Sequence, residues 1–426
     1  MRAGQHSVVV VGGGQAGLSM SYCLGQRGID HVVLERELIA AEWRGARWDS
    51  FCLVTPNWQC QLPGFPYAGD DPDGFMVREE IVEYIESYVD AFAPPVVEGA
   101  TVTDLTLAEG GFVLDTTAGE LTADQVVIAT GGYHVPKIPR LAERLPPTIA
   151  QLSSSRYRNA DELPDGDVLV VGTGQSGCQI AEDLHLAGRT VHLCVGGATR
   201  TARAYRGRDV VAWLHDQGLY DLPVHEHKLG ESVREKANQY VTGRDGGRDI
   251  DLRQFAREGM RLYGRLMGLR DGVLTFAPDL KRNLDRADAS AEAIKDTIDE
   301  YIAQHGIDAP PEERYAPVWQ PGVQPRELDL AASAITTVVW CIGFAADYSW
   351  VNAPIFDGRG RPCHARGVTD IAGLYMLGLP WLYTWGSGRF SGIARDADYL
   401  AEQIVRSGGT SNVAWLARPD RAVKQM

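Results

Sequence analysis

Four consecutive valines, Val8-Val9-Val10-Val11, stop abruptly on Gly12. A β-branched run closing on glycine reads as a strand. The spaced apolar positions of Leu18-Ser19-Met20-Ser21-Tyr22-Cys23-Leu24 then suit a helix, and His31-Val32-Val33-Leu34 reads as a second strand, ending in Glu35. The order recurs downstream. Val168-Leu169-Val170-Val171 stops on Gly172, a helix-like Cys178 to Leu184 follows, and Thr190 to Val195 forms the next strand. Further strand-like runs are Asp124 to Ala129, closing on Thr130-Gly131, Thr337 to Trp340, closing on Cys341-Ile342-Gly343, and Gly373 to Leu379, which carries Gly378. Gly386 to Leu400 reads as a glycine loop opening a final helix. Pro136, Pro139, Pro146 and Pro147 break regular structure at a crossing between domains. The segment 204–321 is charged and helical in pattern, for example over 251–267, without clean strand alternation in its first half. Alternating strands and helices predict an α/β fold.

The two valine-rich strands each run into G-x-G-x-x-G. In such a turn Gly12 or Gly172 permits the tight bend, Gly14 or Gly174 lets backbone approach a pyrophosphate, and Gly17 or Gly177 lets helix and strand pack closely. The pyrophosphate is favoured by the unpaired N–H groups and the dipole of the helix N-terminus, at Gln15-Ala16 and Gln175-Ser176. Glu35 stands where a carboxylate accepts ribose hydroxyls, with Arg36 beside it. At the matching place the second unit has Val195, then Gly196, Gly197, Arg200 and Arg203. Arginine welcomes a 2′-phosphate where a carboxylate would repel it, so this unit is read as an NADPH site. Two dinucleotide sites imply one resident cofactor and one that visits, FAD at the first and NADPH at the second. The expected layout is two Rossmann-like dinucleotide-binding domains. Residues 1–150 form the first part of an FAD domain, 151–325 an NADPH domain with a helical insertion, and 326–426 the second part of the FAD domain.

Composition adds exclusions. The 426 residues carry a formal net charge of −15, which disfavours nucleic acid and anionic membranes. There is no signal-peptide pattern and no apolar run of transmembrane length, so a cytoplasmic protein is expected. The seven cysteines contain no C-x-x-C, which argues against metal binding and against passing electrons to a disulfide. The tail after Ser407 is expected to fray.

Around these units the chain resembles class B flavin-dependent monooxygenases, the group of flavin-containing monooxygenases, YUCCA-like enzymes and a bacterial branch associated with nitrilase clusters. Glu42-Trp43-Arg44-Gly45-Ala46-Arg47-Trp48-Asp49 resembles the family's W-R-x-x-R-Y/W-D segment, Leu62 to Tyr67 its L-P-x-x-P-F stretch, and Ala129-Thr130-Gly131 with Pro136 and Pro139 its A-T-G crossing. The resemblance implies that NADPH reduces FAD and that a C4a-hydroperoxyflavin passes one oxygen of O₂ to a small nucleophile. The acceptor would be an amine nitrogen, a sulfur or an electron-rich carbon. It implies FAD contacts from Trp43, Arg44, Arg47 and Trp48, and a catalytic amide from Asn57 or Gln59. The aromatic cluster Trp381, Tyr383 and Trp385 is either a substrate wall or core. One departure bears on function. In the family motif F-x-G-x-x-x-H-x-x-x-Y/F only the aromatic survives, as Tyr157, and Ser153 stands in place of the histidine. That keeps open an NADPH-dependent flavin reductase or oxidase that releases hydrogen peroxide.

Overall fold

A computed structural model describes residues 4–408. The valine run is the strand Gln5–Val11, at the centre of an eight-stranded sheet. Across that sheet the order is Val351–Asn352, Val102–Ala108, Gly111–Thr116, Gly119–Ile128, Gln5–Val11, His31–Leu34 and Val96–Val97, with Leu374–Met376 also paired to Gly119–Ile128. Its centre is parallel, and the three strands from Val102 to Ile128 form an antiparallel meander. Side chains alternate along a strand. Val8 and Val10 therefore pack with the helices Gln15–Gln26, Arg78–Phe92 and Ile393–Arg406, while Val9 and Val11 join Val126, Ile128 and Leu114 on the other face. Two cores, one on each side, explain the absence of polar positions in the run.

The second glycine unit repeats the arrangement. Asp167–Val171 lies in a five-stranded parallel sheet ordered Ala150–Ser153, Ile335–Trp340, Asp167–Val171, Val191–Cys194 and Arg261–Tyr263. Val168 and Val170 face one core, Leu169 and Val171 the other. No described helix is long and apolar enough to cross a membrane.

Two expectations are corrected. The strand Ile335–Trp340 belongs to the second sheet, between Ala150–Ser153 and Asp167–Val171, so the return to the first sheet comes after Trp340 and the boundary at 326 was drawn too early. The outward and homeward crossings then run side by side, Val135–Pro136 pairing antiparallel with Phe344–Ala345. Residues 251–267 are helical only over Leu252–Arg257. Gly259 takes φ +112°, which ends the helix, and Arg261–Tyr263 is the edge strand of the second sheet. At Gly264 a Cβ would stand 2.0 Å from the Ala277 carbonyl oxygen, so glycine is required where this strand passes its neighbour. The insertion is thus mixed, with a hairpin at Leu266–Arg270 and Val273–Phe276 and one long helix, Leu280–His305. The final helix, Ile393–Arg406, follows the glycine loop as expected. The tail expected to fray lies outside the described residues beyond 408.

Between the two glycine units a buried polar knot joins distant segments. Asp183, on the helix Gln175–Leu186, accepts hydrogen bonds from Tyr157 Oη (2.6 Å), Ser50 Oγ (2.5 Å) and Arg244 Nη1 (2.6 Å). Tyr157 is fully buried, so Tyr157→Phe leaves one lobe of a buried carboxylate unsatisfied. A loss of about 1–3 kcal/mol of stability is expected, read as a lower denaturant midpoint of the purified protein at unchanged m-value.

Candidate functional site

At the first turn, Gly12 has φ +108°, and a Cβ there would lie 2.8 Å from the Ala129 carbonyl oxygen. A Cβ on Gly17 would come to 1.8 Å from the Gly12 oxygen, whereas one on Gly14 meets nothing within 4 Å. Only the middle glycine faces open space. The second turn copies this: Gly172 has φ +106°, a Cβ on Gly177 would sit 2.0 Å from the Gly172 oxygen, and Gly174 faces open space. Neither helix start carries a side-chain cap. Each therefore presents first-turn N–H groups beside an opening, the arrangement that fits a pyrophosphate.

The carboxylate of Glu35 is fixed by the Gly13 N–H (2.7 Å to Oε2) and the Glu37 N–H (2.9 Å to Oε1). Gln15 Nε2 donates to the Gly388 carbonyl at 3.1 Å, and a Cβ on Gly378 would lie 2.8 Å from Ala16 Cβ. The last quarter of the chain is thereby laid on the first turn. In the second unit the Gln175 amide is tied to the Val241 carbonyl, and Ser176 is half-buried. Thr130 and Gly131 end the strand Gly119–Ile128 at the outward crossing, and Gly343 (φ +87°) stands at the homeward one. The Thr130 hydroxyl is buried without a partner among the described residues. The Gly131 carbonyl accepts from Tyr348 Oη at 2.6 Å. His134 staples the crossings: Nδ1 accepts from the Asp347 N–H at 2.8 Å and Nε2 lies 3.1 Å from the Thr130 carbonyl.

The W-R-x-x-R-W-D segment divides. Arg36 pairs with Glu42 at 2.7 Å, and Arg44 pairs with Glu86. Trp43 stacks on Phe390 at 5.7 Å. Trp48 is buried edge-on to Phe51 in the core of the second unit, which removes it from any cofactor surface. Arg47 lies over Trp43 and Phe51 with no ion pair among the described residues, and burial lowers its pKa. A companion that no sequence motif marks is Arg389, stacked 4.0 Å over Trp385, also without an ion pair among the described residues and with its pKa also lowered by burial. Both guanidinium groups interact electrostatically with Tyr133. Half-buried cations lacking a carboxylate suit an anionic or electron-accepting group.

Three other candidates change role. Asn57 is held by its own loop: Nδ2 donates to the Asp71 carbonyl (2.9 Å) and Oδ1 accepts from the Met76 N–H (2.7 Å), so its amide is a strut. Gln59 is equally buried, but its Oε1 has no partner and it lines a cavity of about 210 Å³. Arg200 and Arg203 are interior struts. Arg200 Nε pairs with Asp288 at 2.7 Å and its guanidinium stacks 4.1 Å over Tyr315; Arg203 pairs with Asp209 at 2.6 Å and donates to the Val54 carbonyl at 2.8 Å. A buried charge keeps its partner, because breaking the pair strands the other ion. Beside the glycine pair that follows Val191–Cys194, a Cβ on Gly197 would lie 3.6 Å from Nη1 of Arg286. Arg286 is exposed and has no ion pair among the described residues. It sits on the long helix of the insertion, where sequence spacing gave no signal.

The cysteines do not suit thiol chemistry. Six are buried, and burial pushes the thiols of Cys23, Cys60 and Cys341 up to about 12 and that of Cys52 up to about 11. A thiol held in its protonated form is a poor nucleophile.

The glycine geometry separates two substitutions. Gly14→Ala is expected to fold yet purify with little flavin, because its methyl fills the opening. Gly17→Ala is expected to lower thermal stability itself. Flavin absorbance per protein and the melting temperature of both variants check this.

The model of a pyridine nucleotide-disulphide oxidoreductase family matches residues 9–255. A CzcO-like oxidoreductase of Geobacillus kaustophilus is 32% identical over 402 residues, covering 93% of this chain and 98% of its own. The indole-3-pyruvate monooxygenase YUCCA1 of Oryza sativa is 32% identical over 180 residues, 41% of this chain and 44% of its own. A solved flavin-containing monooxygenase from Stenotrophomonas maltophilia shares the fold, with TM-score 0.64 at 19% identity over 94% of this chain and 98% of its own. The resemblance to flavin-dependent monooxygenases read from the motifs therefore holds, and the chain belongs to the pyridine nucleotide-disulphide oxidoreductase family as a flavoprotein oxidoreductase.

Proposed function

We propose that this enzyme is an FAD- and NADPH-dependent monooxygenase that transfers one oxygen atom of O₂ to a small nucleophilic substrate. The observation that carries the reading is the pair of glycine turns, each open only at Gly14 or Gly174, joined by two crossings pinned side by side through Val135–Pro136 and Phe344–Ala345. The flavin monooxygenase relatives favour oxygen transfer over disulfide reduction, as do the buried, protonated thiols.

FAD, when bound, supplies hydride acceptance and O₂ activation. The chain's residues bind and orient. The Gly14–Gly17 turn would hold the FAD pyrophosphate, Glu35 its ribose, and Arg47 and Arg389 would place positive charge along the rest of the cofactor. Gly174 and Ser176 would hold the NADPH pyrophosphate. Arg286, free of the partners that bind Arg200, replaces it as the proposed reader of the 2′-phosphate. Residues up to about 150 and from about 343 would serve FAD, and those between would serve NADPH. Gln59 takes the role of the amide facing the substrate.

One observation favours a second reading. Ser153, in place of the family histidine, is buried and bonded to Ser155 Oγ at 3.0 Å, so no imidazole acts there. An NADPH oxidase releasing peroxide is the alternative. Turnover under ¹⁸O₂ with amines, sulfides and electron-rich aromatics separates the two. The proposal expects one labelled oxygen in product per NADPH consumed. Stoichiometric hydrogen peroxide with every compound would sink it.

Arg286→Ala is expected to raise the KM for NADPH roughly 10- to 100-fold, the range of a lost charge-assisted contact, with NADH unchanged. Arg200→Ala is expected to lower the melting temperature instead. Equal effects of Arg286→Ala on both nucleotides would refute the assignment.

A further inference from the structure

The cavity at Gln59 is assembled from three separated parts of the chain. Trp58 and Gln59 come from the excursion after the first glycine unit, His215 and Tyr220 from the insertion after the second, and Ser391 from the glycine loop before the final helix. Its walls are aromatic. The ring of Trp58 meets His215 edge-on at 4.9 Å, and Tyr220 rests against Trp385 at 4.3 Å. Two of its polar atoms are unclaimed. Gln59 is 3% exposed, and neither its Oε1 nor the buried Ser391 Oγ has a hydrogen-bond partner among the described residues. The charges at the cavity, Asp221 and Arg395, pair with each other at 2.7 Å.

These features select a ligand. A flat ring matches aromatic walls. A buried acceptor without a partner calls for a donor. A charged ligand would shed its water without gaining a counter-ion, since Asp221 and Arg395 already neutralise each other. The volume of about 210 Å³ suits one substituted ring, a cavity of roughly 150 Å³ being enough for benzene. We propose that this cavity binds an uncharged single-ring aromatic bearing an N–H or O–H donor, an arylamine or a phenol, with the donor on Gln59 Oε1. The inference rests on the monooxygenase reading only in calling that ligand the substrate.

The test is binding to the flavin-loaded protein, without NADPH, followed by tryptophan fluorescence because Trp58 lines the site and Trp385 packs on its Tyr220 wall. Aniline and phenol are expected to bind roughly tenfold more tightly than toluene, and benzoate not measurably. In Gln59→Met, aniline and phenol are expected to fall to the affinity of toluene, with toluene unchanged. Tyr220→Ala is expected to weaken all three neutral ligands. Flavin content and melting temperature report whether each variant is folded. Equal affinity of the four probes, or an unchanged preference for aniline and phenol in folded Gln59→Met, would overturn the assignment. Donor-selective binding without ¹⁸O transfer would uphold the cavity and sink only the monooxygenase reading. Labelled product from a compound that aniline does not displace would do the reverse.

Discussion

The rest of the molecule hangs on how closely a helix can approach the strand before it. At Gly17 the backbone passes the Gly12 carbonyl at a distance that leaves room for a hydrogen and nothing larger, and Gly177 passes Gly172 in the same way. That approach aims the first turn of each helix past the end of its parallel strand. It also leaves one glycine, Gly14 or Gly174, beside open space with unclaimed N–H groups. The packing constraint and the binding surface are the same few atoms. A side chain at the outer glycines would push the helix away and close the site it creates.

Around the two turns the chain spends its buried polar groups on joining parts that are remote in sequence. Asp183 gathers Ser50, Tyr157 and Arg244 between the two glycine units. His134 holds the outward crossing to the homeward one. Arg200 and Arg253 share Asp288, which ties the loop after Val191–Cys194 and the short helix Leu252–Arg257 to the long helix. Such groups are costly when unpaired, so each fixes a single arrangement of its partners. Some groups near the first glycine unit and its crossings lack such partners among the described residues: Arg47 and Arg389 have no ion pair, and Thr130 Oγ1 and Gln59 Oε1 have no hydrogen bond.

Much of this was legible in the pattern of residues. A valine run followed by G-x-G-x-x-G and a helical pattern reads as one strand–turn–helix unit, and Gly17 and Gly177 are dictated by contacts only five residues away, so both units, the closing strands and the final helix could be read directly. Glu35 was legible for the same reason: its distance from the turn is set by one helix and one strand. The insertion resisted because its elements are short and its helical pattern over 251–267 is broken by Gly259 and Gly264, whose roles depend on Ala277 across a strand crossing. The boundary at 326 failed because a strand's pattern does not say which of two parallel sheets it enters.

What the sequence determined alone is the local pattern: two glycine-rich strand–turn–helix units and a set of cysteines without a C-x-x-C. Tertiary structure decided which charges are free. Arg200, Arg203 and Asn57 have the right residue types near the right turns, yet each is engaged by partners that the fold brings to it, Arg200 by Asp288, Arg203 by Asp209 and the Val54 carbonyl, and Asn57 by the Asp71–Met76 loop. Arg286, Arg389 and Gln59 keep unclaimed groups because no partner reaches them, a property no motif encodes. Pairing in a folded chain is settled by contacts across hundreds of residues, and the function of a charged or amide side chain depends on what remains after that pairing is complete.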